Sequence, residues 1–195
     1  EAFISSRFKG DLYALRDIVI DTRSLVENLA KDFETRIVKG SPEIVRYQGK
    51  IASLIVNGDY RIKAEKYILA AGIGNQEIID ALEIPVEMQN RPLHQVVIRG
   101  KNLPDLFAHA ISIRDLSKPR ITFTTHIVGD YKYWYLGGKL AETGVERSRL
   151  DQIKFAKEEL HKIIPWVDFS ECKFSTFRIN RAEPKSKRNL KPAKP

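Results

Sequence analysis

The stretch RITFTTHIVGDYKYWY, Arg120–Tyr135, constrains the fold more than any other part of the chain. Two runs rich in β-branched and aromatic residues flank Gly129-Asp130, and a two-residue turn with glycine first closes a hairpin whose twist matches that of its strands. Such a turn sets the register: residue 127 faces 132, 126 faces 133, 125 faces 134 and 124 faces 135. Because side chains alternate along a strand, Thr124, His126, Tyr133 and Tyr135 share one face. Phe123, Thr125, Ile127, Trp134 and Leu136 share the other, which reads as core. The polar face either floors a pocket or simply meets water.

The apolar face needs a cover, and Arg147–Ile164 offers one. Leu150, Ile153, Ala156, Leu160 and Ile164 recur at helical spacing until Pro165 stops the helix. His161, near its C-terminal end, is accounted for by the helix dipole and a solvated flank. His94 to Arg99 alternates as a further strand, and Lys173 to Asn180 reads as the last one. A chain of 195 residues with 43% hydrophobic content can fill a core of this kind.

Upstream, Asp21 or Thr22 can cap a helix carrying Leu25, Val26, Leu29 and Phe33 on one stripe. Short strands are predicted at Thr35–Lys39, Glu43–Tyr47, Lys50–Val56 and Asp59–Ala64, broken at Gln48-Gly49 and Asn57-Gly58, which makes a meander. Tyr67–Ala71 is apolar on both faces, the pattern of a strand covered on both sides in a parallel sheet. It runs into Gly72-Ile73-Gly74-Asn75-Gln76-Glu77, which fails as a dinucleotide fingerprint at its sixth position, where Glu77 puts a side chain and a charge.

Other chemistries are excluded by pattern. His94, His109, His126 and His161 lack metal-ligand spacing, no serine sits in a nucleophile elbow, and there is no Walker loop. Cys172 is the single cysteine, so no internal disulfide forms and a reducing, cytoplasmic setting is expected. No apolar run reaches membrane-spanning length. The formal charge of +8 is concentrated from Arg178 to Pro195, which carries +6 of it. That tail has prolines and no interleaved aromatics, so it reads as a solvated, flexible segment with no specific nucleic-acid role.

The order of these segments, a capped helix, a meander, KYILAAGIGN, QNRPLHQVVIRG, the hairpin ending WYLGG, a helix and TFRINRAEP, resembles the FAD-dependent oxidoreductases that include D-amino acid oxidase and glycerol-3-phosphate dehydrogenase. The resemblance runs from about Asp21 to Pro184. It implies an α+β fold, in which a mixed or antiparallel substrate-domain sheet with flanking helices is joined to the later part of an FAD-binding domain. The implied organisation is a partial FAD-binding domain over 1–88, a substrate domain over 89–182, and a basic, flexible tail over 183–195.

The same resemblance implies roles for residues. Ala71, Gly72 and Gly74 would pass near the pyrophosphate or ribityl region of FAD, and Val38 would lie where the backbone meets adenine. Arg91 belongs to the segment entering the substrate domain beneath the flavin. Arg178, or second to it Arg181, would clamp the substrate's acidic group, a task that suits the planar guanidinium fork. His94 or His126 would accept a proton, and Tyr133 or Tyr135 would line the pocket. The implied reaction is dehydrogenation of a small amino or hydroxy acid with hydride passing to the flavin. The expected partners are thus a small acidic substrate and, in a homo-oligomer, further copies of the chain.

The chain starts at Glu1 and has Met88 as its one methionine, so segments upstream are expected. Relative to that family, the glycine fingerprint and the flavin-closing end are both missing. A fragment of this kind would hold FAD weakly or not at all and would be inactive by itself. The alternative is a non-catalytic binding domain whose basic tail docks on an acidic partner.

Overall fold

The computed structural model describes residues 5, 6, 8, 10–16 and 18–185. In chain order these form helix α1 (Thr22–Ala30), strands β1 (Pro42–Tyr47), β2 (Lys50–Val56) and β3 (Tyr60–Ile62), helix α2 (Asn75–Ala81), strands β4 (Met88–Gly100), β5 (Ala108–Ala110), β6 (Ile121–Val128) and β7 (Tyr131–Gly137), helices α3 (Lys139–Thr143) and α4 (Arg149–Ile163), and strand β8 (Lys173–Pro184). The fold is α+β. The chain divides into two units, one of Glu1–Arg16 with Arg91–Arg181, the other of Asp17–Asn90 with Ala182–Pro195.

In the first unit the sheet order is β5-β6-β7-β4-β8, with β6 antiparallel to β5 and β7, and β7 antiparallel to β4. The β6–β7 hairpin has the register set by its turn: Thr124 faces Tyr135, Thr125 faces Trp134, His126 faces Tyr133 and Ile127 faces Lys132. Gly129 takes φ +57°, the left-handed backbone that the first position of such a turn demands. One face of the sheet is dry. Val96, Ile98, Phe123, Trp134 and Leu136 pack there against Leu140 of α3 and Ala156, Leu160 and Ile164 of the α4 segment. Trp134 meets Phe123 edge to face at 5.7 Å, and its indole N–H donates to the Pro104 carbonyl at 2.9 Å. Ile127 departs from the expected core assignment: it is 66% exposed, being at the hairpin tip next to the turn.

Ser148 caps α4, its hydroxyl accepting from the Asp151 amide at 3.2 Å. Ala156, Leu160 and Ile164 are buried as predicted, but the buried stripe does not reach back to Leu150 and includes two polar residues. Leu150 is 78% exposed, whereas Gln152 and Glu159 are buried. Gln152 donates to the carbonyls of His94 and Leu140 at 2.8 and 3.0 Å, and its own carbonyl accepts from Arg147 at 2.9 Å. A polar side chain with every group bonded is accepted in a core, and a count of apolar residues alone overlooks it.

In the second unit, β1, β2 and β3 form an antiparallel meander with a bulge at Val45/Arg46. Gln48-Gly49 and Asn57-Gly58 all take positive φ at its turns. Asp21 caps α1, its carboxylate accepting from the Arg23 amide at 3.1 Å. Two expectations fail here. The proposed strand Thr35–Lys39 is displaced by a 3₁₀ turn over Lys31–Arg36, which draws the Ile37 amide onto the Glu34 carbonyl. Tyr67–Ala71 is no strand: β1, β2 and β3 pair only with one another, and Ile68 is 92% exposed. An apolar run specifies burial only where a partner surface covers it, and here the cover is partial: Tyr67 and Leu69 are half-buried while Ile68, Ala70 and Ala71 are exposed. At the other end, β8 runs on through Glu183 and Pro184, which had been assigned to the tail, and the Lys185 amide donates to the Glu87 carbonyl at 2.8 Å. The basic stretch after Lys185 lies outside the described residues.

Candidate functional site

The face of the first unit's sheet opposite the core is built from alternate residues of adjacent strands. Val97 and Arg99 of β4 face Tyr135 and Tyr133 of β7, which in turn face Thr124 and His126 of β6. His126 meets Tyr135 edge to face at 4.8 Å, and Tyr135 meets Phe177 of β8 at 6.1 Å. Hydroxyls, an exposed imidazole and aromatic edges thus form one contiguous surface. Tyrosine and histidine supply hydrogen bonding at one end and flat apolar contact over the ring, a combination suited to orienting a small polar ligand.

His126, Tyr133 and Tyr135 are brought together there as predicted. The two candidate proton acceptors are not. His94 is 2% exposed, and its Nδ1–H donates to the Gly144 carbonyl at 2.9 Å in the turn before α4. It stands among the core residues and takes part in the polar network around Gln152. Arg178 donates at 2.6 and 2.9 Å to the carbonyls of Val145 and Arg147, closing the end of the 3₁₀ turn at Gly144–Glu146. Arg91 donates to Glu142 at 2.6 Å. These arginines already have oxygen partners. Arg181 is exposed and shares the alternation of Phe177 and Ile179 along β8, which places it on the open-face side of that strand. Arg99 was missed by sequence reasoning. It ends the predicted His94–Arg99 strand, and its parity relative to His94 was the available signal.

Charges near the sheet are held firmly. Burial pushes the Glu142 carboxyl up, but bonds from Lys118 and Arg91 outweigh that and hold it below the ordinary carboxylate range. Glu159 follows the same logic: burial raises it, and Arg120 and Lys162 bring it lower. Burial, then Asp168 and Glu171, raise the Cys172 thiol, so it is a poor nucleophile near neutrality.

The remaining candidates lie in the second unit. Val38, Ala71 and Gly72 are exposed and Gly74 is half-buried. Gly72–Gly74 forms a 3₁₀ turn leading into α2, and Gly72 has φ +57° with open space where a Cβ would stand. A pyrophosphate needs free, converging amides. Here the Ala71 amide is taken by Asn75 Oδ1 at 2.9 Å and the Gly74 amide by the Ala71 carbonyl at 3.1 Å. These residues by themselves do not form a dinucleotide grip. Among the described residues there is no cluster of metal-ligating side chains, and no helix is long and apolar enough to cross a membrane.

No protein-family model matches the chain. It is 40% identical over 190 residues to a Pseudomonas aeruginosa protein named "Probable FAD-dependent oxidoreductase PA4991", the match covering 95% of this chain and 48% of that protein. The chain thus spans about half the length of the curated relative it matches. The crystal structure of the FAD-dependent oxidoreductase PA4991 from the same organism superposes on 98% of the chain and 53% of its own length, with a TM-score of 0.88 and 38% identity. The α+β architecture described above is therefore shared with an FAD-dependent oxidoreductase, of which this chain is a homologue.

Proposed function

We propose that the chain is the substrate-binding part of an FAD-dependent oxidoreductase of the D-amino acid oxidase and glycerol-3-phosphate dehydrogenase type, acting on a small amino or hydroxy acid. The observation that carries this reading is the open sheet face, where His126, Tyr133, Tyr135 and Thr124 stand together on a fold matched over nearly the whole of this chain by an FAD-dependent oxidoreductase. Residues 89–182 would form the substrate domain. Residues 1–88 would be part of a cofactor domain, which accounts for the exposed apolar Leu25, Val26, Leu29 and Ile68 as surfaces that further elements of that domain cover.

The flavin, when bound, supplies the redox chemistry. The pyrophosphate grip would come from segments corresponding to the other half of the relative, because two amides of the 71–74 turn, those of Ala71 and Gly74, are already bonded within the chain. The chain's own residues would orient the substrate: Tyr133 and Tyr135 hydroxyls hold it by hydrogen bonds, and His126 takes the proton from its amine or hydroxyl. Of the arginines expected to take its acidic group, Arg181 suits the task better than Arg178, whose guanidinium is spent on backbone carbonyls.

The test is anaerobic reduction of the flavin in the full-length protein by a panel of amino and hydroxy acids. The expected result is bleaching by one class, slowed about 10²-fold or more in His126→Ala, the scale of a lost general base. Failure of every such acid to bleach the flavin would overturn the reading.

A further inference from the structure

Among the described residues of the first unit, four arginines are half-buried: Arg91, Arg99, Arg120 and Arg147. Three have an oxygen acceptor. Arg91 pairs with Glu142, Arg120 with Glu159, and Arg147 donates to Gln152 and Thr143. Arg99 has none among the described residues. Its guanidinium lies 3.9 Å from the centroid of the Tyr131 ring, and Tyr133 faces it in the register. The Lys101 ammonium stands 5.2 Å from the same centroid and has no carboxylate partner among the described residues either. Two cations on one aromatic ring repel each other, and the ring's negative face offsets only part of that. An unpaired guanidinium fork held over an aromatic ring is prepared for an oxyanion.

Position adds direction. Arg99 faces Tyr133, one step of the pleat along from the pair of Val97 and Tyr135, so its level is about 7 Å along the strand from that of Tyr135. Lys101 and Tyr131 also line a groove of about 860 Å³, together with Trp166, Asp168 and Glu171. Asp168 is turned to its own loop, accepting from the Ser170 amide and hydroxyl at 2.8 and 2.9 Å.

We propose that Arg99 and Lys101, stacked on Tyr131, form an oxyanion subsite on the open face, which takes a carboxylate or phosphate of the substrate remote from its reacting carbon. This rests on the reading of that face as the substrate site and extends it: the substrate carries a second acidic group, apart from the one assigned to Arg181.

The test titrates the 195-residue chain with inorganic phosphate and, separately, with succinate, while following the Arg99 side-chain N–H and the Tyr131 ring by NMR. Saturable shifts at both groups are expected, the tighter of the two probes identifying the anion. Affinity should fall about tenfold in Arg99→Gln and about threefold in Lys101→Gln, with partial retention in Arg99→Lys and no change in Arg149→Gln, which alters an exposed arginine on α4. Retained far-UV circular dichroism excludes unfolding as the cause. Equal affinity in wild type and Arg99→Gln, or no shifts at Arg99, overturns the subsite. In the full-length protein, Arg99→Gln should raise KM for the terminally acidic substrate about tenfold and leave kcat unchanged. If no acid reduces the flavin while the anions still bind at Arg99, the oxidoreductase reading falls and the subsite stands. Flavin reduction by a terminally acidic substrate, with KM unmoved by Arg99→Gln, removes the subsite alone.

Discussion

The two faces of the β6–β7 hairpin are made by neighbouring residues of one sequence and do opposite work. Trp134 and Leu136 are fully buried against α3 and α4, while Tyr133 and Tyr135, one position away, stand half-exposed beside His126. The dry face holds the sheet to its helices by close packing. The open face has no such duty, so its hydroxyls and imidazole are available to a ligand. The largest expected effect breaks the first face. Trp134→Ala removes the biggest fully buried side chain and orphans the Pro104 carbonyl. It should destabilise by about 3–5 kcal/mol, measured by urea unfolding, and a loss under 1 kcal/mol would mean the dry face is not the seat of stability.

Next in size is the joint between the sheet and its cover. Gly138 follows β7, takes φ +75°, and would place a Cβ 2.7 Å from the Pro119 carbonyl oxygen. That carbonyl already receives the Lys139 amide at 2.9 Å. Gly138→Ala meets both backbone strain and a contact with rigid main chain, and a loss of about 1–3 kcal/mol is expected in the same unfolding assay.

How much of this was legible in sequence follows from range. The hairpin, its turn and its register were readable because they are fixed within sixteen residues by alternation and by Gly129-Asp130. The α4 helix was readable in extent and, at Ala156, Leu160 and Ile164, in facing; its buried polar members were not, because Gln152 and Glu159 are held by partners at His94, Leu140 and Arg120 outside the helix. The same blindness affected the site. His126, Tyr133 and Tyr135 are local to the hairpin, whereas the occupation of Arg178 by Val145 and Arg147 carbonyls, and the stacking of Arg99 on Tyr131, are tertiary facts. Tyr67–Ala71 was misread for a related reason: a continuous apolar run reports what a segment can bury, not whether its cover is present.

An effect of similar size sharpens the electrostatic side of the dry face. Glu159 titrates below the ordinary carboxylate range in the folded chain because Arg120 and Lys162 outweigh its burial. A lowered folded pKa adds stability at any pH above the unfolded carboxylate value, and that stability drains away as pH falls through the folded one. Unfolding free energy should therefore drop with acid more steeply in wild type than in Glu159→Gln. At neutral pH that variant should be less stable by about 1–3 kcal/mol, since the Arg120 pair is lost. Parallel pH profiles would show that the pair contributes nothing specific.

The smallest expected change in stability belongs to the open face. His126 is exposed and touches Tyr135 only by a ring edge at 4.8 Å, so His126→Ala should shift the unfolding free energy by no more than about 0.5 kcal/mol. Tyr135→Phe removes a hydroxyl and keeps both ring contacts, to His126 and to Phe177, and should be equally silent. If the open face is the substrate site, the same pair of changes should slow flavin reduction in the full-length protein, His126→Ala more than Tyr135→Phe, because losing a proton acceptor costs more than losing one hydrogen bond. Trp134→Ala should do the reverse in proportion, costing stability first and rate only as folded protein is lost. Should His126→Ala and Tyr135→Phe prove as destabilising as Trp134→Ala, the division of labour between the faces would be wrong, and the polar residues would have to be credited with holding the fold.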